Sequence, residues 1–137
     1  MFHALWKSAR TNLENPLIVV LTLFLYYCNN HCFKTHSTGI INYVLRCHFN
    51  DYLCGMLFVA YSNIVLLTRG YRIERLHHII LFCFIAGLFW EFVTPLFRSD
   101  SVGDWIDVVC YILGGLSYCG VINGKKHYSK KVKKPYA

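Results

Sequence analysis

The sequence predicts an all-α integral membrane protein, a bundle of four spanning helices, and three observations carry that reading. The 137-residue chain is 55% hydrophobic and only 15% charged, whereas a soluble domain carries about 25% charged residues. Its apolar residues arrive in four blocks, each close to the ~20 residues that cross a ~30 Å hydrocarbon core. The links between blocks are polar and short, as expected of neighbouring helices in a bundle. By length the chain reads as one membrane domain over residues 1–137.

Residues 1–15 place Phe2, Leu5, Trp6, Ala9 and Leu13 at helical spacing with Lys7 and Arg10 opposite. That pattern predicts an amphipathic helix lying in the membrane interface. Pro16 suits the first turn of a new helix, and Leu17 to Cys28 is unbroken apolar sequence, giving a first span over about residues 16–33. A basic stretch before a short apolar run is also the pattern of a signal peptide. No small-x-small cleavage site follows, so the run is read as an uncleaved span.

Residues 34–50 form the longest connection. Ile40, Ile41, Val44 and Leu45 share one helical face there, which predicts a helix lying on the membrane. Asp51 opens the second span, about residues 52–68, which stops at Arg69-Gly70. A basic loop leads to the third span, about 77–97, and a short turn to the fourth, about 105–122. A lysine-rich tail, residues 123–137, closes the chain.

Charge placement orients the bundle. With both termini cytoplasmic, the inner segments hold Lys7, Arg10, Arg69, Arg72, Arg75 and six tail lysines, against Lys34, Arg46 and Arg98 outside. This is the positive-inside arrangement. No nucleic-acid recognition module accompanies the net charge of +7, so the tail is expected to meet anionic lipid rather than nucleic acid.

Under that topology Asp51, Glu91, Asp104 and Asp107 gather at the outer end with His48, Asn50 and Arg98. Helical spacing puts Asp104, Asp107, Tyr111, Gly114 or Gly115, and Tyr118 on one stripe of the fourth span. Cys83, Gly87, Glu91 and Thr94 line up on the third, and Asp51, Gly55, Phe58 and Ser62 on the second. Small and polar residues on a stripe face neighbouring helices, which predicts an acidic cavity open to the outside. Carboxylates in apolar segments are costly unless paired, protonated or wet. Asp104 and Asp107 also suit helix capping, and Glu91 a structural hydrogen bond or a pair with Arg98.

Converging carboxylates supply oxygen donors of the kind Mg²⁺ or Ca²⁺ take. A second group, Cys28, His31, Cys32, His36, Cys47 and His48, offers the thiolate and imidazole that suit zinc or copper, without a recognised zinc spacing. Cys32 and Cys47 leave a disulfide open, and the remaining cysteines read as small hydrophobes on the spans. No phosphate-binding glycine loop, serine nucleophile motif or HExxH helix occurs.

Glu91, Arg98 and the series Asp107-x3-Tyr111-x2-Gly114, with HFNDYL at His48 to Leu53, resemble the VanZ-like family of small membrane proteins. Thr94 stands where that family usually has glutamine, and Tyr111 where it has asparagine. HFNDYLCG, WEFVTP and DWIDVVCYILGG also look like short bacterial proteins labelled magnesium/citrate transporters. The resemblance covers roughly residues 45–122 and implies a protein of the bacterial cytoplasmic membrane whose relatives include a factor in glycopeptide-antibiotic resistance.

Three functions follow as expectations. The first is binding of a lipid headgroup, envelope precursor or cationic amphiphile, with Glu91, Asp107, Asp104, Asp51, His48, Asn50, Arg98 and Tyr111 as candidate contacts. The second is a cation- or proton-coupled transporter or channel subunit, which with so few spans implies a homo-oligomer. The third is a membrane-embedded enzyme using a carboxylate/His pair. No cofactor is expected beyond a divalent cation at Asp51, Glu91, Asp104 and Asp107.

Overall fold

The computed structural model describes residues 13–97 and 103–132, with side chains to residue 124. The amphipathic segment before residue 13, Arg98 and the end of the tail lie outside the described residues. All regular structure described is helical, and four helices are long and apolar enough to cross a membrane: Glu14–His36, Phe49–Leu67, Leu76–Leu96 and Trp105–Gly124. Each falls within a few residues of the span expected from the sequence.

Helix α1 runs Glu14–Cys28, passes through a π turn at Asn29–Phe33 and finishes at Lys34–His36. Its last carbonyls are capped from the next helix. Asn42 donates to the carbonyls of Lys34 and Ser37, and Arg46 reaches the Lys34 carbonyl at 3.3 Å. Helix α2, Gly39–Cys47, is the amphipathic helix of the long connection. It leaves Ile40 84% and Ile41 67% exposed, so its apolar face is not spent on the bundle.

Helix α3, Phe49–Leu67, stops where Gly70 adopts φ 76°, a left-handed conformation that glycine takes without strain. Helix α4 runs Leu76–Leu88, then changes to a π turn at Phe89–Val93 and a 3₁₀ turn at Thr94–Leu96, where Pro95 is tolerated near the start of a turn. Helix α5 runs from Trp105 to Val132, so the span continues as helix into the lysine-rich tail instead of ending near residue 122.

The centre of the bundle is the α3–α5 pair, with α1 packed on α3 and α4 packed on α5. Between helices in lipid there is little hydrophobic driving force, so close backbone approach must supply the contact. It does so through glycine. A Cβ on Gly55 would lie 2.1 Å from the Tyr111 carbonyl oxygen, and one on Gly114 would lie 2.0 Å from the Tyr52 carbonyl oxygen. Helix α4 docks in the same manner: a Cβ on Gly87 would lie 3.2 Å from the Val108 Cα, and one on Gly115 would lie 2.4 Å from the Cys83 sulfur. Around these crossings Met56, Val59, Ala60, Ile79, Cys83, Tyr111 and Tyr118 form the core.

One end of the bundle is basic and carries Arg69, Arg72 and Arg75 in the α3–α4 loop. A dry polar network holds it together. The Tyr118 hydroxyl donates to Asn15 Oδ1 at 2.7 Å and accepts from Asn63 Nδ2 at 2.8 Å. Asn63 Oδ1 in turn accepts the backbone N–H of Ile73 at 2.7 Å. Three spans and a loop are thereby joined through side chains that are 0–1% exposed. Arg72 lies beside this network, 3.3 Å from Glu74 and 3.9 Å from Glu14.

Two stability predictions follow. Gly114→Ala should destabilise the protein by about 1–3 kcal/mol or more, because the added methyl meets backbone and α3 and α5 must part. Tyr118→Phe should cost about 1–3 kcal/mol by stranding Asn15 and Asn63 in a dry site. Unfolding curves in mixed micelles measure both, and wild-type curves for either variant would contradict the packing or the network.

Candidate functional site at the acidic end

The opposite end brings together residues from α3, α4 and α5. His48 stands at the junction of α2 and α3. Its amide bonds to Val44 at 3.0 Å and its carbonyl accepts the Tyr52 amide at 3.1 Å, so its backbone is tied to both helices. Its ring meets Tyr43 edge-on at 5.4 Å. The ring then extends to α5, where Nδ1 lies 2.6 Å from Asp107 Oδ1. His48 and Asp107 are separated by 59 residues in sequence, and their side chains are only 9% and 16% exposed. A contact this short between imidazole and carboxylate is a charge-assisted hydrogen bond, with the Nδ1–H donating.

Cys110 is one turn further along α5. Donor atoms of His48, Asp107 and Cys110 all lie within 4.8 Å of one another, the group of three metal-capable side chains found among the described residues. A nitrogen, an oxygen and a sulfur thus converge between two helices that glycine crossings hold in register.

Asp51 is half-buried on the first turn of α3 and is not among the residues whose donor atoms converge within 4.8 Å. Glu91 is 8% exposed and sits in the π turn of α4, a deviation from α geometry that recurs at functional sites. It accepts the backbone N–H of Asp104 at 3.2 Å. A Cβ on Gly103 would lie 2.5 Å from the Glu91 carbonyl oxygen, so the chain entering α5 passes directly over this turn.

The other candidates are used differently. Asp104 caps α5, its Oδ1 accepting the Ile106 amide at 2.9 Å. Asn50 faces α1: its Oδ1 accepts from Asn29 Nδ2 at 2.9 Å, and Asn29 also donates to the Leu45 carbonyl at 2.8 Å. Tyr111, 1% exposed, packs beneath the group against Gly55 and stacks on Phe58 at 6.2 Å. Arg98, expected as a counter-ion, lies outside the described residues.

The cysteine–histidine group of the first connection does not assemble into such a cluster. Among the described residues His31 stacks on Tyr27, and His36 bonds to the Cys32 carbonyl at 2.9 Å. Only His48 of that group joins metal-capable partners, and they are Asp107 and Cys110. All seven cysteines are free, so Cys32 and Cys47 are not bridged. Cys110 itself, passed over in the sequence as a small hydrophobe, was signalled by its place three residues after Asp107.

No protein-family model, curated protein or solved structure matches the chain significantly. The findings establish a membrane-type helical protein with a buried His/Asp/Cys cluster able to chelate a metal.

Asp104→Ala should lower stability by about 0.5–2 kcal/mol through loss of the cap. Amide exchange at Ile106 checks the cause, since protection there should fall while protection in the middle of α5 is kept.

Proposed function

We propose that the protein is a membrane-embedded cation-binding protein whose site is the His48–Asp107–Cys110 group, acting as a small transporter or channel subunit. The observation that carries this is the convergence of three different donor types within 4.8 Å at the acidic end of the bundle. A charged or polar group inside a span is retained when it has a partner or a task, and a bound cation serves the carboxylate and thiolate together.

The arrangement of Arg and Lys supports an orientation with the basic end and both termini in the cytoplasm, so that the cation is met from outside. On this reading the chain is one domain of a bacterial cytoplasmic membrane, as the resemblance to VanZ-like proteins implies. Four spans offer few elements for alternating access, and conduction through the bundle would involve several copies.

Binding of a lipid headgroup or cationic amphiphile draws less support. Asn50 is engaged with α1 and Asp104 with the helix cap, which leaves fewer free groups for a large ligand. An apolar cleft between Thr22, Tyr26, Leu53 and Leu57 suits an acyl chain and fits ordinary contact with membrane lipid. One observation favours acid–base chemistry as a second reading. The bond from Nδ1 to Asp107 fixes the His48 tautomer with Nε2 as the free base.

In nanodiscs, the purified protein should bind a divalent cation with one site per chain. His48→Ala and Asp107→Asn should each weaken binding at least about tenfold, equal to about 1.4 kcal/mol, as read by calorimetry. Unchanged affinity in both variants would refute the cation reading. Turnover of an envelope lipid that disappears in His48→Ala would favour the enzyme instead.

A further inference from the structure

Two short helical segments face one another at the acidic end. His48 and Asp51 are three residues apart at the start of α3, and Asp107 and Cys110 are three apart in the first two turns of α5. That spacing sets each pair on one side of its helix. His48, Asp107 and Cys110 already share a site. Asp51, half-buried on the first turn of α3, is not part of that group. Glu91 is close but occupied, holding the amide at the entry to α5.

From this donor set, and resting on the cation-binding reading above, we infer that the site takes a zinc-class divalent cation, with His48 at the start of α3 facing Asp107 and Cys110 from α5 and the fourth position left to a ligand from outside the chain. Cys110 sets the class of metal. Magnesium and calcium take six or more oxygen donors, whereas this site offers one carboxylate, one imidazole and one thiolate. Imidazole and thiolate together select borderline cations that accept four ligands. Ligand distances of about 2.0–2.3 Å put donor atoms about 3.4 Å apart around a tetrahedral ion. His48, Asp107 and Cys110 therefore need only small side-chain adjustments from their present spacing.

The backbone beneath leaves little freedom to form a wider, oxygen-rich site. Gly55 and Gly114 bring α3 and α5 into backbone contact directly below the donors. A six-oxygen shell would require the helices to separate there.

The test uses the full chain in nanodiscs with the exposed Cys32 and Cys47 replaced by serine. Co²⁺ titration is followed by absorption, then Zn²⁺, Mg²⁺ and Ca²⁺ are added as competitors. One Co²⁺ per chain should bind with a thiolate charge-transfer band, and Zn²⁺ should displace it stoichiometrically. Mg²⁺ and Ca²⁺ should leave it in place even at about a thousandfold excess, in keeping with donor softness. Cys110→Ser should abolish the band, and Asp107→Asn should keep the band while weakening Co²⁺ at least about tenfold, a scale already reached when a supporting group is removed at a metal site.

A cation that binds without a sulfur band, with Mg²⁺ or Ca²⁺ competing as well as Zn²⁺, overturns the zinc-class site while cation binding itself stands. A band that survives Cys110→Ser, or affinity unchanged in Asp107→Asn, overturns the assignment of donors. Absence of any cation binding removes both readings. Each variant is scored only with a cooperative unfolding curve, and Cys110→Ala and Asp107→Ser replace any that fails to fold.

Discussion

The contact on which the rest depends is the one between α3 and α5, where two glycines let backbone meet backbone. The Tyr111 carbonyl lies where a side chain on position 55 would begin, and the Tyr52 carbonyl lies where one on position 114 would begin. Within lipid, dispersion and close packing must do what burial of apolar surface does in water. The reciprocal placement fixes separation and register together. Sliding either helix would drive a carbonyl into a side chain, so Asp107 is held opposite His48 by packing a turn or two away.

Polar groups occupy both ends of this central pair in different ways. At the basic end, Asn15, Asn63 and Tyr118 bond mainly to one another and to the loop. That network joins helices, and of its side-chain donors Asn15 Nδ2 is the one it leaves without a partner. At the acidic end, His48, Asp51, Asp107 and Cys110 include a thiol and carboxylates that do not close on each other so completely. The acids there also belong to different tasks: Asp104 starts a helix, Glu91 secures the chain entering it, and Asp107 orients an imidazole.

Much of the fold was legible in the sequence because apolar length and stripe periodicity are local signals. Gly55, Gly87, Gly114 and Tyr118 lie on the faces that spacing predicted, and all are buried. The tertiary bonds were not legible in the same way. Nothing local in Asn15 announces a hydroxyl 103 residues away, and Asn50 looked like a site residue because only its neighbours in sequence were visible. Cys110 was discounted since a thiol in an apolar helix usually packs as a hydrophobe. Its nearness to His48 depends on how α2 delivers that residue to α3. The π turns left no trace in hydropathy, because one extra residue per turn does not change composition.

Those two π turns carry a consequence for how this molecule can vary. Each accommodates a supernumerary residue within a span, and both occur toward the same rim of the bundle, at Asn29–Phe33 and Phe89–Val93. Insertions are absorbed there as a local bulge, with the helix ends still anchored. The glycine seam offers no such slack, since a shift of one position swings every later side chain by about 100°. A change of length is thus absorbed more readily at the rim, while the middle accepts change only by substitution.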